Sequence, residues 1–229
     1  MSAQVMSPNT LSLELAGEQV ALLAGRGLWW PGGRTLFIAD PHFGKAATFR
    51  LSGIPVPEST HEADLERLSL MLKETGARRL LVLGDFFHAK LGCNESTHAA
   101  LQRWRERWAG LEITLVLGNH DRYAGPPPAS LGIQPVEGPY GLPPFAACHE
   151  PQVVAGHFVL AGHLHPAYRV ASVTVPCFHL SEESMVLPAF GSFTGTSRVK
   201  PAAGDRLYLT GPHEVIALPA SSPRRPSKS

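Results

Sequence analysis

The sequence has few cysteines, and their spacing excludes the architectures that depend on them. Only three occur in 229 residues, Cys93, Cys148 and Cys177, and there is no C-x-x-C pair. An odd number of widely spaced cysteines indicates neither a disulfide framework nor a zinc ribbon. A reducing compartment is the simpler expectation. We therefore expect a cytoplasmic protein whose thiols are buried and inert.

The sequence also lacks a membrane span, a signal peptide and a strong charge of either sign. Its apolar runs are far shorter than the ~20 residues that a membrane helix needs, and no basic stretch precedes an apolar core near residue 1. The net charge is +1, with 44% hydrophobic residues. The apolar content is enough for a globular core. Charge alone does not predict a nucleic-acid binder, but bound divalent ions would add positive charge that this count omits.

What the sequence does contain is a repeated pattern in which apolar runs end at metal-binding side chains. Five runs do so: TLFIAD-P-H, RLLVLGD, ITLVLGNHD, PFAACHEP and HFVLAGHLH. Open α/β proteins place their sites at the carboxyl ends of strands, so we expect these five ends to converge. The mixture of carboxylate, amide and imidazole suits one or two Mn, Fe or Zn ions. The side chains concerned are Asp40, His42, Asp85, Asn119, His120, Asp121, His149, His163 and His165.

The spacing of these side chains gives a first view of how they share ions. Asp40 and His42 are two residues apart, as are His163 and His165. On an extended strand end such a pair faces one side, so both members can face one ion. A two-ion site needs a ligand that contacts ions roughly 3.5–4 Å apart, and a carboxylate can do so. Asp85, in the middle of the chain order, is the predicted bridge.

Periodicity and turn signals predict an α/β chain with a strand-rich second part. Helices are expected at about 60–75, opened by a capping box of Ser59 and Glu62, and at about 95–109, with Trp104 and Trp108 on one face. We expect a disordered N-terminus over 1–10, one domain over 11–218 and a disordered basic tail over 219–229. Two sheets packed face to face with helices outside are expected. Predicted loops are 43–58 and 124–144, and predicted strands include 35–40, 80–83, 113–117, 145–148, 158–161 and 167–175.

The order of the motifs resembles the calcineurin-like metallophosphoesterases. It reads D-x-H, G-D-x-x-H, G-N-H-D, H and G-H-x-H over about residues 35–166. The resemblance implies a four-layer αββα sandwich, two mixed β-sheets flanked by helices, with two divalent metal ions, Mn²⁺ by preference and Fe or Zn as alternatives. His120 is then the catalytic residue that contacts the phosphate and protonates the leaving group. The implied ligands are Asp40, His42, Asp85 and His165 for one ion, and Asp85, Asn119, His149 and His163 for the other.

Two further features resemble the nuclease branches of that family. The second motif is G-D-F-F-H, with His88 where many members have Asp, and in the DNA-repair nuclease branch this histidine also faces the substrate. The stretches ADPHFGKAATFR, LGDFFHA and LPAFGSFTG resemble the bacterial ligase-associated DNA-damage-response endonucleases, the PdeM-type subgroup. This implies DNA or another phosphodiester as substrate. It also implies a link to DNA repair and association with an ATP-dependent DNA ligase and helicase system.

Three functions stay open on the sequence alone. The first is a dinuclear-metal DNA phosphodiesterase, and the second is a phosphoesterase or pyrophosphatase for a nucleotide or sugar nucleotide. The third is a non-catalytic scaffold, against which the complete ligand set argues. His157 is an alternative to His149 as a ligand, although His149 ends a strand directly. Candidate substrate contacts are Lys45, Arg50, Arg103, Arg105 and Arg107, with a solvated helix face as the alternative for the last three.

Overall fold

The computed structural model describes residues 10–51, 53, 60–89 and 94–219, and its first sheet contains seven strands. The strands lie in chain order across the sheet, antiparallel from β1 to β4 and parallel from β4 to β7. Their bounds are β1 (Thr10–Leu15), β2 (Glu18–Leu23), β3 (Gly27–Trp30), β4 (Thr35–Ile38), β5 (Arg79–Leu83), β6 (Glu112–Val116) and β7 (Ile133–Val136).

The second sheet contains nine strands and is also mixed. Its order is β14-β11-β12-β13-β10-β9-β8, with β15 pairing β12 and β16 pairing β15. Strands β9, β10 and β13 are parallel neighbours. The bounds are β8 (Tyr140–Leu142), β9 (Phe145–Cys148), β10 (Phe158–Ala161), β11 (Pro166–Val170), β12 (Val173–Leu180), β13 (Ser184–Val186), β14 (Ser197–Arg198), β15 (Arg206–Thr210) and β16 (Val215–Ala217).

The helices follow strands of the first sheet in chain order and cover its outer face. They are α1 (Lys45–Leu51), α2 (Thr60–Thr75), α3 (Glu95–Arg107) and α4 (Asn119–Ala124). Leu68 and Leu72 of α2 and Leu101 of α3 pack in one cluster with Leu36 and Val82 of the sheet. Successive strand residues face opposite sides, so the parallel strands are apolar on both faces, as expected for strands buried between two layers.

The two sheets pack face to face through the other side of those strands. Phe37 and Leu81 of the first sheet share a cluster with Phe145, Leu160 and Phe178 of the second. This packing confirms the predicted sandwich of two mixed sheets with helices. The carboxyl ends of β4, β5 and β6 and those of β9 and β10 are thereby brought to the same end of the sandwich. No helix in the described ranges is long and apolar enough to cross a membrane.

Four local predictions need correction. The segment 43–58, predicted as a loop, contains helix α1, whose Ala46 and Ala47 are buried. Seven residues between glycines and prolines are too few to show helical periodicity. The segment 124–144, also predicted as a loop, contains β7 and β8. The segment 167–175, predicted as one strand, is divided between β11 and β12 by a turn at Ala171, which has a φ of 52°. The predicted capping residue Ser59 lies outside the described residues, as do 1–9 of the predicted disordered segment 1–10 and 220–229 of the predicted tail 219–229. Thr10 is the first residue of β1, so the predicted disorder is wrong at that position.

Candidate metal centre

The side chains predicted to bind metal meet where the strands of the two sheets end. Asp40 follows β4, Asp85 follows β5 and Asn119 begins α4 after β6. His149 follows β9, and His163 and His165 follow β10. Parallel pairing within each sheet places neighbouring strand ends side by side, which is why residues far apart in sequence lie together here.

The backbone at these strand ends is not extended, contrary to the sequence-based argument. Five of the residues have left-handed φ values: Asp40 at 49°, His42 at 46°, Asp85 at 50°, His163 at 68° and His165 at 45°. Non-glycine residues rarely adopt this region, and each such residue costs about 1–3 kcal/mol. The extended backbone that was expected to turn Asp40 and His42, and likewise His163 and His165, to the same side is therefore absent. The left-handed turns set the direction of each side chain separately.

One group of ligands lies between β4 and the segment after β10. Asp40, His42 and His165 offer ligand atoms within 4.8 Å of one another. His165 Nε2 lies 3.7 Å from Asp40 Oδ2, and His42 Nε2 lies 3.7 Å from Asp85 Oδ2. These contacts bring together the four residues that the resemblance gives to one ion.

A second group lies around His149. Its Nδ1–H donates to the Leu83 carbonyl at 3.1 Å, and its Nε2 faces the site. Nε2 lies 2.9 Å from Asn119 Oδ1, 3.0 Å from His163 Nδ1 and 3.6 Å from Asp85 Oδ1. Ring nitrogens and side-chain oxygens gathered at one point form an arrangement that a cation stabilises.

Asp85 joins the two groups, because each of its carboxylate oxygens faces a different one. Oδ2 faces His42, and Oδ1 faces His149. Oδ1 also accepts a hydrogen bond from the backbone N–H of His120 at 2.9 Å. Burial raises the pKa of Asp85, and the nearby His149 opposes that rise. This carboxylate has the position that a bridging ligand requires.

Buried polar atoms show that the donor set fits a cation. Asp40 Oδ1, both ring nitrogens of His42 and His165 Nε2 are buried and make no hydrogen bond to any part of the chain that the structure describes. Such atoms cost free energy unless something satisfies them. Burial, followed by the charge of Lys45, lowers the pKa of His42 to about 2. The imidazole is therefore neutral and keeps a lone pair for a metal ion.

His120 and His88 lie beside these groups rather than within them. His120 Nδ1–H donates to the His88 carbonyl at 2.8 Å, so its Nε2 faces the site, 3.9 Å from Asp85 Oδ2. The rings of His88 and His120 stack at 5.3 Å between centroids. Burial lowers the pKa of His88 to about 4. His42, His88 and His120 also offer nitrogens within 4.8 Å of one another, so metal analysis of His120 variants is informative.

Asn119 and His120 begin a helix rather than end a strand. They are the first two residues of α4. Consecutive helical side chains point in directions about 100° apart, so the side chains of Asn119 and His120 diverge. Asn119 faces His149, and His120 faces His88 and Asp85.

Two glycines hold their positions because any side chain would enter the site. Gly84 has a φ of 84°, and an added Cβ would lie 1.9 Å from His149 Nδ1. A Cβ at Gly118 would lie 2.3 Å from Asp85 Oδ1. Gly84 is therefore needed both for its left-handed backbone and for space, whereas Gly118 is needed for space.

Asp121 stabilises the backbone turn that carries Asp85. Its Oδ2 accepts from the backbone N–H groups of Asp85 at 2.8 Å and Gly118 at 2.9 Å. Its Oδ1 accepts from Phe86 N–H at 2.9 Å. The side chain is 3% exposed. It therefore fixes the turn that presents Asp85 and does not orient the His120 ring.

Replacing Asp121 with alanine should destabilise the fold and weaken metal binding together. Three buried backbone donors would lose a charged acceptor, and each hydrogen bond to a charged group contributes roughly 1.5–3 kcal/mol. We expect the free energy of unfolding in urea to fall by at least ~2 kcal/mol.

The matched control is Glu137→Ala, which removes an exposed carboxylate paired with Arg122 at 2.6 Å. Exposed pairs contribute ~0–1 kcal/mol, so this variant should remain close to the parent. If Asp121→Ala unfolds at the same urea concentration as Glu137→Ala, Asp121 does not hold the turn.

Other candidates from the sequence lie as follows. His157 faces the Ala155 carbonyl and lines a separate groove, so it does not compete with His149. Lys45 shares a small cavity with His42. Cys148 and Cys177 are free and buried, as predicted, and Cys93 lies outside the described residues.

The α3 arginines contact other parts of the chain. Arg103 lies 3.6 Å from Glu62 and Arg107 lies 3.4 Å from Glu66. Arg105 donates to the Leu131 carbonyl at 2.8 Å. The indole N–H groups of Trp104 and Trp108 both donate to Ser69, at 3.1 and 3.2 Å. These contacts within the chain favour a structural role for this helix face over contact with DNA.

Comparison with known proteins agrees with this geometry. A family model described as calcineurin-like phosphoesterase matches residues 33–179. The chain belongs to this family. It is a metal-dependent phosphoesterase of a family that uses a dinuclear metal centre, and the described residues include candidate Asp and His ligand groups.

Among solved structures, this phosphoesterase is similar to the nuclease MPE of Pseudomonas putida. The two chains are 43% identical, the match covers 92% of this chain and 100% of that chain, and the TM-score is 0.83. A more distant structure is Yfce, a phosphoesterase from E. coli, at 15% identity over 81% of this chain and 98% of that chain. Its TM-score of 0.41 is too low to support an argument. A search of curated proteins gives no match.

Proposed function

We propose that this protein is a dinuclear-metal endonuclease that hydrolyses phosphodiester bonds in DNA. The observation that carries the proposal is the position of Asp85, with one carboxylate oxygen toward each ligand group. The similarity to a nuclease over that protein's full length supports DNA as the substrate. On the basis of the motif resemblance, we also propose that the protein acts in DNA repair in the cytoplasm, together with an ATP-dependent ligase and helicase system.

In this proposal Asp40, His42, Asp85 and His165 hold one ion, and Asp85, Asn119, His149 and His163 hold the other. Mn²⁺ is the proposed ion, since mixed carboxylate and imidazole sites suit it. Two divalent ions at this place supply an activated water and neutralise charge on the phosphate oxygens. The ligands include four neutral imidazoles and an amide, so the negative charge of the site stays low enough for an anionic phosphodiester to approach.

The chain itself supplies the proton for the leaving group. His120 is half-buried, and its Nδ1–H is held by the His88 carbonyl, so Nε2 is the nitrogen that can carry and give the transferable proton. Histidine is the side chain that most often serves as a general acid or base. His88 stacks on His120 and is proposed to face the substrate. The adjacent Lys45 provides a fixed positive charge for a substrate phosphate.

Activity on different nucleic acids tests the proposal directly. The purified protein, with Mn²⁺ added, is incubated with linear and circular DNA, single- and double-stranded, and with a panel of nucleotides and sugar nucleotides. We expect circular DNA to be cut, because an endonuclease needs no free end, and a chelator should stop the reaction. Turnover of the nucleotide panel without any cutting of DNA would favour the small-molecule phosphoesterase instead.

A further inference from the structure

Large apolar side chains are exposed on the segments that carry the metal centre. Tyr123 of α4 is 87% exposed, and Phe193, in the segment after β13, is 40% exposed. Leu164, between His163 and His165, is 46% exposed. Exposed apolar groups rimmed by polar residues mark binding surfaces more often than isolated ones do. Their position around a catalytic centre makes a substrate the first ligand to consider.

Tyr123 lies on the same face of its helix as the catalytic residues. It is three residues after His120 and four after Asn119, the two spacings that bring helical side chains together. Helical side chains also lean toward the preceding turn. Tyr123 therefore shares the helix face of Asn119 and His120, on the helix that follows β6.

Phe193 lies on the other side, against the loop of Asp40 and His42. Its segment is tied to the end of β4 by a backbone bridge between Ala39 and Ala189. Phe193 lines a small cavity with His42 and Lys45. The ring is thus beside one ligand group and next to a positive charge.

Hydrogen bonds fix the Phe193 segment in this place. Ser192 N–H donates to Asp64 Oδ2 at 3.1 Å, and the Arg67 guanidinium donates to the Phe190 carbonyl. Arg26 donates to the Ala189 carbonyl at 3.3 Å. A ring on a fixed segment loses little conformational entropy on binding, which favours it as a contact surface.

The two aromatic residues belong to segments on opposite sides of β5, the strand that leads to Asp85. Strand β5 lies between β4 and β6 in the sheet, and neighbouring strands are about 4.8 Å apart. The Phe193 segment is bridged to the end of β4, and Tyr123 lies on α4, which follows β6. A phosphodiester inside a nucleic acid strand has one nucleobase on each side, whereas a phosphomonoester has a single substituent.

We propose that Tyr123 and Phe193 stack on the two nucleobases that flank the scissile phosphodiester. Every base has a π-face, so such contacts accept any sequence and position the backbone over the metal centre. The Tyr hydroxyl remains in water while its ring contacts the base. This inference rests on the proposed function, because it assigns the substrate contacts of the same site.

The test compares three substrates in the presence of Mn²⁺. They are a single-stranded oligonucleotide, the same strand with abasic residues on both sides of the measured linkage, and bis(nitrophenyl) phosphate. Tyr123→Ala and Phe193→Ala should each lower kcat/KM on the intact strand by roughly 5- to 150-fold, the range for losing base–aromatic stacking. Most of the loss should appear in KM, and it should be far smaller on the nitrophenyl diester.

The abasic strand supplies the readout that separates stacking from structural damage. The parent protein should lose activity on it by about the product of the two single-variant losses, because both stacking contacts are removed. The two alanine variants should be no less active on it than the parent. Tyr123→Phe and Phe193→Tyr should retain activity, because both keep an aromatic ring. Phe193→Leu is included in case alanine disturbs the loop: it removes the ring but keeps a large apolar side chain. The control Ile216→Ala removes an apolar side chain of 48% exposure on β16, and it should match the parent on all three substrates.

Two outcomes overturn the inference, and they are distinguishable. If the parent cuts DNA but both alanine variants cut it equally well, or lose as much on the abasic strand as on the intact one, the stacking role is wrong and the proposed function stands. If the parent hydrolyses the nitrophenyl diester but no DNA, the proposed function fails and the stacking role fails with it.

Discussion

The Asp85→Ala variant is expected to lose metal-dependent phosphodiesterase activity and to bind both ions more weakly. Asp85 is the residue whose two oxygens face the two ligand groups, so its removal affects both at once. The loss of affinity should exceed the roughly 10- to 100-fold that follows from removing a group that only supports a ligand. Metal content per chain after gel filtration measures the effect. Thermal stability in Mn²⁺ should also fall, since a bound ion stabilises the native state.

The matched control for Asp85→Ala is Asp205→Ala. Asp205 is likewise a carboxylate in contact with a histidine, at 2.7 Å from His179 Nε2, but it lies outside the metal centre. This variant should keep both ions and its activity. Two ions retained at full occupancy in Asp85→Ala would show that Asp85 is not the bridge.

Replacing His120 with alanine should leave both ions and the fold in place while reducing turnover by roughly 10²–10⁴-fold, the usual scale for losing a general acid. The reason is geometric, since His120 Nδ1 is held by the His88 carbonyl and Nε2 faces the site. A nitrophenyl ester should lose much less than DNA, because its leaving group needs little protonation. The measurement pairs metal analysis with kinetics on good and poor leaving groups.

His88→Ala is the companion variant to His120→Ala. It removes the ring that stacks on His120 while keeping the backbone carbonyl that holds His120 Nδ1. It should keep both ions, with a smaller or substrate-selective loss of activity. If His120→Ala releases an ion, or if both classes of ester suffer equally, the general-acid assignment of His120 fails.

The convergence of the site could be predicted from sequence because it follows from topology. Asp40, Asp85 and Asn119 each come after an apolar run, and parallel strands place such ends side by side. The backbone at these ends could not be predicted. Left-handed φ values at Asp40 and His42 are imposed by surrounding contacts, such as the hydrogen bond from His42 N–H to the Asp85 carbonyl at 3.0 Å, and local sequence does not encode them.

The roles of Asp121, Tyr123 and Phe193 also could not be predicted from the sequence, because they depend on backbone contacts and on solvent exposure. Asp121 appeared as one residue of the G-N-H-D motif, and only the fold shows that it accepts hydrogen bonds from a turn 35 residues away. Neither Tyr123 nor Phe193 belongs to a sequence motif. The spacing of three residues between His120 and Tyr123 indicates a shared helix face only when α4 is known to be a helix. Most of the other aromatic residues are buried, and the sequence does not show which ones are exposed.

The most direct test of the two-ion account is anomalous diffraction at the manganese edge from crystals grown with Mn²⁺. The account predicts two peaks, roughly 3.5–4 Å apart, with Asp85 in contact with both. One should lie among Asp40, His42 and His165, and the other among Asn119, His149 and His163. A single peak, or two peaks of which Asp85 contacts only one, would contradict the account.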